Sequence, residues 1–121
     1  MSNQQTYISF YLEGSELRVF HKAVLALGTP KCVQFRVHAD GTSMIMEPCA
    51  QKTFTTFRVP KIEDSDETKS VRVFSKGFCT LLANRLNWDI HKSYRIPGVI
   101  VPNQKIAVFD LTRAVIISEP Q

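Results

Sequence analysis

The residues able to do acid–base, nucleophilic or metal chemistry are few and scattered. His21, His38 and His91 stand apart, and no two of them sit four residues apart on a helical stretch. There is no Cys-x-x-Cys pair and no His-Glu-x-x-His run, so a zinc site lacks a ligand set. Cys79 falls in an apolar run, where its ordinary role is that of a small buried hydrophobe. A nucleophile needs an activating base, and the sequence places none beside it. Cys32 and Cys49 flank expected strands and read the same way. Asp89 and Asp110 could form a carboxylate pair, but each stands at the end of an expected element, where Asp caps local structure. No Gly-x-Ser-x-Gly elbow, phosphate loop or dinucleotide fingerprint occurs. The sequence therefore predicts a protein that is not an enzyme, with no catalytic residues, no metal, no cofactor and no small-molecule substrate.

Basic residues carry a clearer signal. The phrase Leu17-Arg18-Val19-Phe20-His21-Lys22 returns 54 residues later as Val71-Arg72-Val73-Phe74-Ser75-Lys76. Four of its six positions are identical, and they include the Arg and the Lys. On a strand, Arg18 and Arg72 point away from the apolar Leu17/Val19 and Val71/Val73 faces. Arg36 and Arg95 sit in comparable strands after the helices. The net charge is +4, but four of the 11 acids lie in Glu63-Asp64-Ser65-Asp66-Glu67. Outside that segment 15 Lys and Arg face 7 Asp and Glu, an excess of +8. Such an excess attracts phosphates or acidic partners at long range. The plainer reading of the same residues is the polar face of solvated strands, which is how sheet edges are protected.

The elements that must position these cations follow from periodicity. Ile8, Phe10 and Leu12 alternate with polar or Tyr neighbours and predict a strand over 6–12. Glu13-Gly14-Ser15 is a turn, and 17–20 returns as a second strand of a hairpin. A short helix over 23–27 stops at Gly28 before Pro30. Val33, Phe35 and Val37 mark a half-buried strand, Asp40-Gly41 a hairpin turn, and Met44-Ile45-Met46 its partner. The β-branched and aromatic run 53–59 predicts another strand, closed by Pro60. In the second half, Ser75 is an N-cap for a helix over 77–87 with Phe78, Leu81, Leu82 and Leu86 as its apolar stripe. Residues 93–101 are extended, but Pro97-Gly98 suggests a bend or an edge position. Pro102-Asn103 is a turn, and 106–109 and 115–117 are the last strands.

The two copies of the phrase thus each open the same coarse order of elements. This predicts an α+β fold: two pseudo-symmetric β-α-β-β repeats, about 6–60 and 71–118, sharing one mostly antiparallel sheet or barrel core. The whole chain, 1–121, reads as a single compact domain, with the acidic segment 61–70 as the loop between the repeats. A half-chain alone is too small to bury much surface, which gives a reason for the duplication. No apolar run is long enough to cross a membrane, and the N-terminus lacks a secretory leader's pattern. Three widely spaced cysteines fit a reducing, cytoplasmic setting.

Leu27-Gly28, Val33-x-Phe35-x-Val37, Asp40-Gly41 and Met44-Ile45-Met46-x-Pro48 together resemble the second half of an AbrB-type swapped-hairpin unit. Two such units in one chain are similar to the MraZ-like tandem arrangement. The resemblance implies a small bacterial transcription regulator that binds DNA and self-associates. It covers about a third of the chain. The chain departs from the pattern where Lys22-Ala23 and Lys76-Gly77 replace the apolar-Pro entry to the helix, and in its longer second helix. The functional expectation is a non-enzymatic binding protein that contacts double-stranded DNA through Arg18, Lys22, Arg36, Arg72, Lys76 and Arg95. The alternative is a protein–protein interaction module or a homo-oligomeric structural protein.

Overall fold

The computed structural model describes residues 4–28, 32–49, 56–58 and 70–117. Its frame is an antiparallel sheet that curls into a nearly closed barrel. In chain order the strands are β1 (Gln4–Tyr11), β2 (Glu16–Phe20), β3 (Cys32–Val37), β4 (Ser43–Pro48), β5 (Thr56–Arg58), β6 (Ser70–Phe74), β7 (Ser93–Val101), β8 (Ile106–Asp110) and β9 (Val115–Ile117). Helix α1 (His21–Ala26) follows β2, and helix α2 (Lys76–Leu86) follows β6. The strands lie side by side in the order β5-β3-β4-β8-β7-β1-β2-β6, and β9 also pairs with β7.

The expected α+β fold of two β-α-β-β repeats is overturned. The described chain is mostly strand, and α1 has only six residues. Nor do the halves form adjacent units. β1 pairs with β7, β2 with β6 and β4 with β8, so three pairings join the span of the first repeat to that of the second, while β3 pairs with β5 inside the first. The physical reason lies in strand edges. Each short hairpin leaves unpaired N–H and C=O groups, and here the other half of the chain satisfies them. The first strand, β1, lies between β7 and β2, well inside the sheet.

Alternation decides which side chains fill the barrel. Ile8 and Phe10 of β1, Leu17 and Val19 of β2, Val33 and Phe35 of β3, and Met44 and Met46 of β4 point inward and are buried. Helix α2 lies against this interior through Phe78, Cys79, Leu82 and Ala83. Leu81, expected in the same stripe, is instead exposed. Phe78 is the hub: its ring centroid lies 6.1 Å from that of Phe10, 5.3 Å from Phe35 and 5.7 Å from Phe57. Trp88 extends the cluster, 5.6 Å from Phe10 and stacked 4.6 Å from Tyr94. Caps fix the length of α2. The Ser75 hydroxyl accepts from the Phe78 N–H at 3.2 Å, and Asn87 ends the helix in the left-handed region at φ 57°. Arg85 donates to the carbonyls of His38 and Ala39 at 3.3 and 3.0 Å, which ties the helix to the β3–β4 turn.

Two local features set the path of β7. Pro97 does not place this strand at an edge, as the sequence suggested; β7 is central, with β1 on one side and β8 and β9 on the other. On the β8–β9 side the register stops at Arg95 and resumes at Gly98. Pro97, which has no N–H to donate, falls in that gap. The 3₁₀ turn Leu111–Arg113 is the excursion that separates β8 from β9. Gly98 faces Phe109, and a Cβ there would stand 2.5 Å from the ring's Cδ1 and 2.6 Å from the Val108 carbonyl oxygen. The position admits only glycine without movement of the backbone. In the β3–β4 turn, Gly41 takes φ 74° and Asp40 Oδ1 accepts from both the N–H and the hydroxyl of Thr42, as the Asp-Gly signal predicts.

Candidate nucleic-acid interface

The two copies of the repeated phrase pair with each other. β2 and β6 run antiparallel with Arg18 directly opposite Arg72. Arg18 is also opposite Ser9 of β1, and Ser9 is opposite Arg95 of β7. Arg72, Arg18, Ser9 and Arg95 therefore form one cross-strand row. All four lie on the outer face, because their neighbours Val71, Leu17, Ile8 and Ile96 point into the core. Strand spacing puts the row's end positions about 14 Å apart, with Arg18 and Arg72 about 5 Å apart.

Two like charges directly opposite on paired strands repel. Glu16 relieves the repulsion. Its Oε2 accepts from Arg18 Nε, and Arg72 Nε lies 3.8 Å from the same oxygen. The Glu16 side chain is only 12% exposed, so its charge is held close between the two guanidiniums. Aromatic rings also flank two of the cations. Arg18 Cζ stands 4.4 Å from the centre of the Tyr11 ring, and Arg95 Cζ 5.7 Å from that of Tyr7. Three arginines against one carboxylate leave the row with a net charge of +2.

Grooves flank the row on both sides. One, of about 570 Å³, is lined by Gln5, Tyr7, Val99, Asp110 and Arg113 among others. The other, of about 490 Å³, is lined by Tyr11, Glu16, Arg18, His91 and Lys92 among others. Ser9 and Arg95 lie between them along β1 and β7.

The other expected contact residues lie elsewhere. Lys22 and Lys76 follow opposite ends of an antiparallel pair, so they do not join Arg18 and Arg72 in one cluster. Arg36 is on β3, in a different row with Ile45, Val108 and Val99. It is already engaged: its Nε and Nη2 both donate to the Glu47 carboxylate, and this bond raises its pKa. Burial alone would raise the Glu47 pKa, but hydrogen bonds from Arg36 and Gln34 outweigh it and hold the carboxyl below its usual value. Sequence reasoning missed Tyr7, Tyr11 and Glu16. Alternation against Ile8 and Phe10 does put both tyrosines on the outer face, but nothing local links them to arginines on other strands.

Asp89 and Asp110, considered as a carboxylate pair, each make contacts within their own turns. Asp89 Oδ1 accepts from the His91 N–H, and Asp110 Oδ1 from the Thr112 N–H and hydroxyl, so each caps its own turn. His38 pairs with Asp40 at 2.9 Å and His91 with Glu13 at 3.2 Å, both in the open. Burial pushes the Cys79 thiol up to about 11, which keeps it protonated and a poor nucleophile. Among the described residues no three His, Cys, Asp or Glu side chains gather as a metal site. No helix among them is long and apolar enough to cross a membrane.

No protein-family model, curated protein or solved structure matches the chain. The likeness to swapped-hairpin regulators therefore rests on the sequence phrases alone.

Proposed function

We propose that the protein is a non-enzymatic nucleic-acid-binding protein, a small DNA-binding regulator that docks phosphates on the outer face of β6, β2, β1 and β7. The observation that carries this reading is the row Arg72–Arg18–Ser9–Arg95, three guanidiniums from three strands on one surface. Its span of about 14 Å is close to the width of the major groove, about 12 Å, so its two ends can meet phosphates on opposite sides of a duplex groove. Contacts of this kind give affinity and register more than sequence readout. The three cysteines are free thiols, which is in keeping with a cytoplasmic setting.

Fluorescence anisotropy with a labelled duplex tests the reading. Three phosphate contacts give a log–log salt slope of roughly −3. Replacing Arg18, Arg72 and Arg95 together by Ala should remove most of that slope while circular dichroism stays unchanged. Binding that is absent at about 50 mM salt, or that the triple variant leaves intact, refutes this surface. A second reading, a protein-interaction module or homo-oligomer, is favoured by Phe74, which is 67% exposed at the end of β6. A concentration-dependent rise in sedimentation coefficient, abolished by Phe74→Ser, would select it over the first.

A further inference from the structure

We propose that Cys32 and Cys49 form a covalent modification site, a cross-strand dithiol that a low-molecular-weight disulfide oxidises to an internal disulfide. The site is distinct from the arginine row and independent of it, since it lies at the open end of the β3–β4 hairpin. The hairpin register pairs Val33 with Pro48, and one step further it sets Cys32 opposite Cys49. The Cys49 N–H donates to the Cys32 carbonyl at 3.2 Å, so the two form a hydrogen-bonded pair. The preceding Val33–Pro48 pair is of the other kind, which is where a proline fits without losing a ladder bond. Cα atoms of a hydrogen-bonded pair stand about 5.5 Å apart, inside the range of about 4.4–6.8 Å that a disulfide spans. Both side chains leave the sheet on the same, outer face, opposite to Val33, and both are half-buried rather than sealed in the core. Cys79, the remaining cysteine, is buried under α2 and takes no part.

The order of attack follows from the environment. Burial, together with the neighbouring Cys32 thiol, pushes the Cys49 thiol up to about 11, so it holds its proton. Cys32 therefore attacks first. Its thiolate forms a bond to one sulfur of the small disulfide, and that disulfide's own S–S bond breaks and releases one small thiol. The Cys49 sulfur, its proton passing to water, then attacks Cys32 Sγ and expels the second small thiol. The protein loses two electrons and two protons, and the small disulfide gains them as two thiols. The product staples the base of the hairpin at the point where β3 also meets β5.

The experiment treats the reduced, folded full-length chain with oxidised glutathione. The expected product is a monomer two hydrogen atoms lighter by intact mass, with the Cys32 and Cys49 peptides joined in a non-reducing digest and Cys79 free. Its melting temperature should rise by about 5–10 °C, and reduction should reverse the shift. Cys49→Ser should stop at a stable glutathione adduct on Cys32, and Cys32→Ser should react little under the same conditions. A wild-type chain that keeps a glutathione adduct without closing the internal bond overturns the proposal. So does one that oxidises only after unfolding, or that yields only disulfide-linked dimers.

Discussion

Replacing Glu16 by Gln separates the stabilising role of this side chain from its effect on the surface it sits in. Gln has nearly the same shape, so packing is conserved and only the charge is lost. That charge serves two guanidiniums at once: it bonds Arg18 and lies 3.8 Å from Arg72. An ion pair of this exposure contributes roughly 0.2–1 kcal/mol. Arg18 and Arg72 then face each other with no anion between them, and like charges directly opposite cost a similar amount. The expected loss of stability is about 1–2 kcal/mol, or a fall of about 3–8 °C in melting temperature. Binding should move the other way. A phosphate entering the row no longer competes with the carboxylate, whose repulsion at about 4 Å in water is about 1 kcal/mol, roughly fivefold in affinity. The salt slope should steepen by up to about one unit. The assay is a pair of titrations on the same variant, guanidinium chloride for stability and duplex anisotropy across salt for binding. A variant that is less stable and binds more tightly supports the row as a phosphate site. Weaker binding, or an unchanged salt slope, refutes it whatever happens to stability.

Other expectations concern the frame. Phe78→Ala removes the ring that touches Phe10, Phe35 and Phe57 and should cost about 3–5 kcal/mol in denaturant unfolding; a loss well under about 2 would mean the ring is not central. Gly98→Ala should destabilise by about 2 kcal/mol or more, and Phe109→Leu should restore only part of it, because the Val108 carbonyl still opposes the new Cβ; a neutral Gly98→Ala contradicts the β7–β8 register. Hydrogen bonds from the Thr42 hydroxyl and N–H hold the Asp40 carboxyl down to about 2. The folded value lies below the unfolded one of about 3.9, so the contribution is present above that pH and is lost as pH falls from about 4 through about 2. The stability difference between wild type and Asp40→Asn should shrink across that window, and a difference flat through it would show that the turn is not closed this way.

Much of the local structure was legible in the sequence because it depends on near neighbours. Period-two alternation located β1, β2 and β3, and Asp40-Gly41 located the β3–β4 turn, because face and turn type follow from adjacent residues. Ser75 located the start of α2, since a cap acts within one helical turn. The same local logic failed where neighbours are remote. Pro97 suggested an edge, yet β7 tolerates it because the ladder on one side breaks there. Leu81 matched a helical stripe but faces out, since the barrel covers a narrower face of α2 than the spacing implied.

The sequence by itself determined which faces are apolar, where the chain turns, and that a basic phrase is used twice. The tertiary structure alone decided that the two copies pair with each other, that Ser9 joins Arg18 to Arg95, and that Lys22 and Lys76 are left at opposite ends. It also replaced an α+β pair of β-α-β-β repeats sharing a core by one interleaved, mostly β, nearly closed sheet. The physical reason is that alternation fixes the side of a strand on which a residue lies, whereas the strand beside it is chosen by long-range hydrogen bonding and burial that no local window contains.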